Sequence, residues 1–200
     1  MPTEIFGRDA EIATIGTFLD GLAKSPGSLV LAGPAGAGKT TLLRAGAALA
    51  AEHGFTVLRT MPAPGDVRLA FAGLADLLEP CLEAVTSELP PPQARALRMA
   101  LLVQEAPAHP PEPRVIATAF RSAVSLLARS APVLVVIDDV QWLDPPSEEA
   151  VGFAVRRLEH EAVGLLCAQR TSRPGDGLPI RRLRPESISA CPTSRCSGGA

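Results

Sequence analysis

Between residues 9 and 23 apolar side chains recur at steps of three and four. Ile12, Ile15, Leu19 and Leu22 mark one face, and Asp9 and Glu11 stand where a helix start favours negative charge. The pattern predicts an amphipathic helix. Residues 28–32 (SLVLA) form a short apolar run of the buried-strand type, followed by the glycine-rich stretch GPAGAGKTT and an Ala/Leu-rich helix to about His53. A second strand is predicted over 55–61, ended by the Pro/Gly cluster at 62–65.

From 69 to 129 the period turns helical. Phe71, Leu74, Leu77, Leu78 and Leu82 line one face, the prolines at 90–92 break the chain, and further helices fit 93–104 and 114–129 around a Pro-rich loop at 107–113. Residues 132–137 (PVLVVI) read as a central parallel strand buried on both faces. Asp144 followed by Pro145 suits the cap and first turn of a helix to about Leu158, and 163–168 reads as another strand. Strands alternating with helices predict an α/β fold in which a parallel sheet is sandwiched between helices, with a helical insert at about 69–129. After Arg184 the sequence PESISACPTSRCSGGA has one aliphatic residue beyond alanine, Ile188. The expected division is therefore a core over 1–184 and a disordered tail over 185–200.

Composition narrows the class. With 200 residues, 46% hydrophobic and 20% charged, the chain can build its own core, and no apolar run is long enough to cross a bilayer. Glu4, Asp9 and Glu11 also spoil a signal-peptide reading, so a soluble, cytoplasmic protein with no membrane partner is expected. The net charge of −2 supplies no general field for nucleic acid, although six arginines from Arg170 onward make that end +4 and leave −6 on residues 1–169. A solvated Arg-rich segment is the simpler reading, and with no recognition helix in view direct DNA binding is not expected. The four cysteines, at 81, 167, 191 and 196, have no metal-ligand spacing, and His53, His109 and His160 read as surface or loop residues.

The chemistry concentrates in two places. Gly33-x-x-x-x-Gly38-Lys39-Thr40 fits the phosphate-binding loop. Pro34, Ala35, Gly36 and Ala37 fill the turn, and main-chain N–H groups at the following helix start face an anion. Lys39, one of only two lysines, would reach the β- and γ-phosphates, and the Thr40 hydroxyl would coordinate Mg²⁺. Asp138 directly follows VLVVI, at the carboxyl end of a buried strand. It can hold the same Mg²⁺ through water, or it can simply terminate the strand in a turn. Asp139 can orient or deprotonate an attacking water, or be a solvated turn residue. Arg170, just past the strand at 163–168, can sense a γ-phosphate or be a surface arginine. Trp142 is expected to pack the intervening loop. Ser147 has no assembled His/Asp partner, so nucleophilic hydrolysis is unsupported.

Taken together, Phe6-Gly7-Arg8-Asp9-Ala10-Glu11, GPAGAGKTT and VLVVIDDVQWLDPPS resemble the STAND-class and AAA-type P-loop ATPases over about residues 4–180. The likeness is greatest to the amino-terminal ATPase region of large LuxR-type, MalT-like bacterial transcription regulators. The resemblance implies that Gly7, Arg8 and Glu11 lie near the adenine of bound ATP or ADP. It implies that Gly33, Gly36, Gly38, Lys39, Thr40 and Thr41 hold the phosphates, that Asp138 and Asp139 form the magnesium and hydrolytic acidic pair, and that Arg170 is the sensor. It also implies a slowly hydrolysing nucleotide switch that can self-associate through this domain. Such regulators continue into a lid, a winged helix, sensor repeats and a DNA-binding domain. The change after Arg184 is therefore read as the mark of a truncated gene.

Two other readings compete. A P-loop kinase of a small molecule would place acceptor-site or transfer arginines in the insert, with Arg95, Arg98 and Arg121 as candidates. A non-enzymatic remnant would keep the loop without turnover.

Overall fold

The structure is a computed structural model that describes residues 7–101 and 111–170, and the backbone of 185–189. Five parallel strands form one sheet: β1 (Gly27–Gly33), β2 (Thr56–Thr60), β3 (Val133–Ile137), β4 (Val163–Arg170) and β5 (Pro185–Ser189), in the order β2-β3-β4-β1-β5. All pairings are parallel. The predicted fold class is the observed one.

The strands alternate their side chains between two cores, as a two-residue period requires. Leu134 and Val136 of β3 and Leu166 and Ala168 of β4 face α1 (Asp9–Gly21) and α2 (Lys39–Glu52). Their neighbours Val133, Val135, Ile137, Leu165 and Cys167 face the other way, into a core with the insert and α7 (Pro145–Val155). All five residues of β3 are buried, the signature of a strand covered on both faces.

The insert consists of α3 (Ala72–Leu78), α4 (Leu82–Glu88), α5 (Pro91–Ala100) and α6 (Pro113–Leu127). The prolines at 91 and 92 do not merely break the chain. They open α5, because the first turn of a helix has N–H groups without intrahelical acceptors and proline lacks that donor. Helix α7 ends at Val155, short of Leu158, which is buried beyond it.

One departure lies at the far edge. Pro185–Ser189, expected to lack structure, runs parallel to β1 with Ser28 opposite Pro185 and Ala32 opposite Ser189. A strand edge recruits backbone N–H and C=O groups, which any sequence supplies, so low apolar content did not prevent pairing. Residues 190–200, with Cys191 and Cys196, lie outside the described residues, as do 102–110, which take in the end of the helix expected over 93–104 and part of the Pro-rich loop, and 171–184 with their arginines. Among the described residues, no helix is long and apolar enough to cross a membrane.

Candidate functional site

The strand order places the chemistry side by side. Because β4 lies between β3 and β1, the carboxyl ends of all three meet at one edge of the sheet, where open parallel sheets bind ligands. The β3–β4 ladder stops with Ile137 opposite Cys167, whereas β4 runs on to set Arg170 opposite Gly33. This overhang brings Arg170 between the glycine loop and Asp139. Together, residues 35–40, Asp139 and Arg170 line a cavity of about 250 Å³.

Residues 33–38 curl between β1 and α2. Gly36 and Gly38 take φ of +77° and +81°, a left-handed conformation that side chains with a Cβ resist. Lys39 is only 6% exposed and donates from Nζ to the carbonyl oxygens of Gly33 (2.8 Å) and Pro34 (2.7 Å). Burial lowers its pKa, with Arg170 acting in the same direction and the nearby charges of Asp139 and Asp138 opposing. Thr40 is half-buried in the first turn of α2 and Thr41 is exposed.

Asp138 is 5% exposed at the end of β3. Its main-chain N–H donates to Thr60 O of β2 (3.2 Å), and its Oδ1 accepts from the Asp139 N–H (2.9 Å). Asp139 turns into the left-handed region, at φ +44°. Its carboxylate is held by a fork: Arg170 Nε donates to Oδ1 (3.0 Å) and Arg170 Nη2 to Oδ2 (2.9 Å). Burial works to raise the Asp139 pKa, but the hydrogen bonds from Arg170 and Gln141 outweigh it and hold the carboxyl below its ordinary value.

The box before α1 also reaches this edge. Arg8 Nη2 donates to Ala37 O inside the glycine loop (3.0 Å), and Nη1 donates to Glu11 Oε1 (2.8 Å). The Arg8 bond is the leading cause of a lowered Glu11 pKa. Gly7, at φ +74°, makes the turn that leads into α1.

One contributor was missed in the sequence. Gln141 lies in a 3-10 turn, Val140–Trp142, and donates from Nε2 to Asp139 Oδ1 (3.0 Å), while its Oε1 accepts from the Arg170 N–H (3.2 Å). Its position two residues after an acidic pair was the available signal. Trp142 closes that turn through a bond from its N–H to Asp139 O (2.9 Å).

The arginines of the kinase reading do not gather here. Arg98 donates to Thr86 Oγ1 (2.7 Å) and Glu83 Oε2 (3.4 Å). Arg121 pairs with Glu161 (3.7 Å), just before β4 and so at the opposite end of the sheet from the loop. Arg95 is exposed on α5, and none of the three lines the cavity. His53 and His160 are exposed, and His109 is outside the described residues.

The donors fit a nucleoside polyphosphate and its metal. A buried cation, a second cation across the cavity and helix-start N–H groups suit phosphate. The Thr40 hydroxyl and the Asp138 carboxylate are hard oxygen donors of the kind Mg²⁺ takes.

Comparison with known proteins bears on the family and the fold. A family model described as an AAA ATPase domain matches residues 4–167. The uncharacterized protein R02095 of Rhizobium meliloti (strain 1021) is 27% identical in an alignment that covers 87% of this chain. The match spans 19% of that protein's own length. The ORC1 protein of Aeropyrum pernix, solved in complex with DNA, superposes with a TM-score of 0.56 at 16% identity, over 96% of this chain and 47% of that one. A chain of the HORMA:CdnC:Trip13 complex of E. coli MS115-1 gives 0.51 at 14%, over 92% and 62%. At such identities the structural likeness shows the fold alone.

Proposed function

The chain belongs to the AAA ATPase domain family, and from that premise we propose that it binds ATP over the glycine loop, hydrolyses it slowly and serves as a nucleotide switch. The observation that carries the reading is the Asp139–Arg170 fork facing Lys39 across one cavity. Lys39 would exchange its loop carbonyls for phosphate oxygens, gaining charged acceptors for neutral ones. Arg8 and Glu11 would face the nucleoside side, and Thr41 with the loop N–H groups the phosphates. Thr40 and Asp138 would hold magnesium, which would supply neutralisation of the phosphate charge.

Hydrolysis would use a water whose oxygen bonds to the terminal phosphorus as the bond to the bridging oxygen breaks. ADP leaves with the electron pair, and the water's proton passes to Asp139. With both carboxylate oxygens gripped by Arg170, Asp139 is a poor base. Turnover therefore requires Arg170 to move onto the terminal phosphate, which only ATP provides. This conditional step makes hydrolysis slow and lets ATP and ADP bias two arrangements differently.

The finer reading places the domain in a larger LuxR-type transcription regulator of the STAND class. The joined GRxxE and DDVQWLD stretches support it, as does a relative much longer than the matched region. In that setting ATP would favour self-association in the cytoplasm. DNA contact by this domain is outside the proposal, in keeping with a net charge of −2.

The test is single-turnover hydrolysis with the full chain and Asp139→Asn. The variant should bind Mg·ATP as the wild type does and hydrolyse it roughly a hundredfold more slowly, the usual worth of a general base. Equal rates in the two proteins would remove Asp139 from the mechanism.

A further inference from the structure

We infer that Gln141 is a positioning residue of this site, whose side-chain amide fixes which oxygen of Asp139 is released to act as a base. The inference rests on the hydrolytic reading above and assigns a residue which that reading does not use.

Both ends of the amide are engaged: Nε2 donates to Asp139 Oδ1 (3.0 Å) and Oε1 accepts from the Arg170 main-chain N–H (3.2 Å). A flipped amide would set NH₂ against N–H and oxygen against carboxylate, so the partners dictate its orientation. Its backbone is anchored on either side by buried Val140 and Leu143. Gln141 thus bridges the turn after β3 to the end of β4.

The two oxygens of Asp139 are not equivalent. Oδ1 receives both Gln141 Nε2 and Arg170 Nε, whereas Oδ2 receives Arg170 Nη2. Gln141 is tied to the main chain of Arg170, so its hold does not depend on where the guanidinium points. When the guanidinium swings to a phosphate, Oδ2 is released and Oδ1 stays tethered. The tether matters because Asp139 sits at φ +44°, a left-handed conformation that side chains with a Cβ resist, and the backbone does not by itself fix the carboxylate.

The experiment measures single-turnover hydrolysis and Mg·ATP affinity in the full chain for wild type, Gln141→Leu and Gln141→Glu. Gln141→Leu removes the amide donor, and Gln141→Glu removes it at unchanged side-chain length and sets a second carboxylate beside Asp139. Hydrolysis should fall roughly tenfold or more with Mg·ATP affinity held within about twofold, because misplacement of a reacting group costs rate rather than binding. Hydrolysis at the wild-type rate in the folded variants, or a fall in rate matched by an equal fall in Mg·ATP affinity, would overturn the inference. If the wild type itself fails to bind or hydrolyse ATP, the proposed function fails and the inference with it, whereas a wild type that turns over beside unaffected variants overturns the inference alone.

Discussion

The carboxylate of Asp144 accepts a 2.8 Å hydrogen bond from the main-chain N–H of Phe71, a residue 73 positions earlier in the chain. The same carboxylate takes the N–H of Gly73 (3.0 Å) and caps α7 through the N–H of Ser147 (2.9 Å). One buried side chain therefore ties the insert to the loop after the acidic pair. It also holds Phe71 at φ +64°, a conformation that a bulky residue seldom adopts unaided.

Asp144→Ala should be among the more damaging substitutions. Asp144 is 1% exposed, and its removal strands three N–H groups, two of them in buried bonds, at a cost of about 3 kcal/mol. Asp144→Asn keeps one acceptor oxygen and should lose less. Denaturant unfolding of the three proteins checks the order; an Asp144→Ala midpoint equal to that of the wild type would refute it.

Arg8 stabilises the loop rather than the fold. The Arg8→Ala variant removes the bond to Ala37 O and the pair with Glu11, both partly solvated, so stability should change by less than about 1 kcal/mol. Nucleotide affinity should nevertheless fall roughly tenfold, about 1.4 kcal/mol, as the loop loses an external brace. Calorimetry and melting on the same samples separate the two effects.

Glu161 gives the fold an acid limit. Burial alone would raise its pKa, but bonds from the N–H groups of Glu159 (3.0 Å) and His160 (3.2 Å) and from Ser125 Oγ (3.0 Å) bring it to about 2. A carboxyl with a folded pKa below its unfolded value of 4.5 lends stability that is complete above that value and lost as pH falls through about 2. Glu161→Gln should flatten stability against pH across this window and leave the pH 7 protein roughly 1 kcal/mol weaker, allowing for partial solvent screening. Unfolding measured from pH 5 to 2 checks the slope.

These relationships also show where sequence reading stops. The all-apolar β3 and the glycine loop were legible because period and motif are local, and Asp144 was legible as a cap for the same reason. The second grip of Asp144 on Phe71 and Gly73 was not, since it depends on how α3 docks against α7. Arg8 and Ala37 stand 29 positions apart, and Asp139 and Arg170 stand 31 apart. Sequence could nominate each residue but not join the pairs; the sheet order brings Asp139 and Arg170 together, and the placement of the start of α1 brings Arg8 to Ala37. Gln141 escaped notice because an amide carries no charge pattern, and β5 because its pairing uses backbone rather than apolar side chains.

Calorimetric titration of Mg·ATP into the wild-type chain and Lys39→Ala decides whether the glycine loop is a nucleotide site. Binding by the wild type and a loss of roughly a hundredfold in the variant are expected, the scale of one strong charge-assisted contact to phosphate. The same ligand at about a hundred times its Kd should stabilise the wild-type fold by roughly 2.7 kcal/mol. Equal affinities for the two folded proteins, or no binding by either, would contradict a nucleotide site built on this loop.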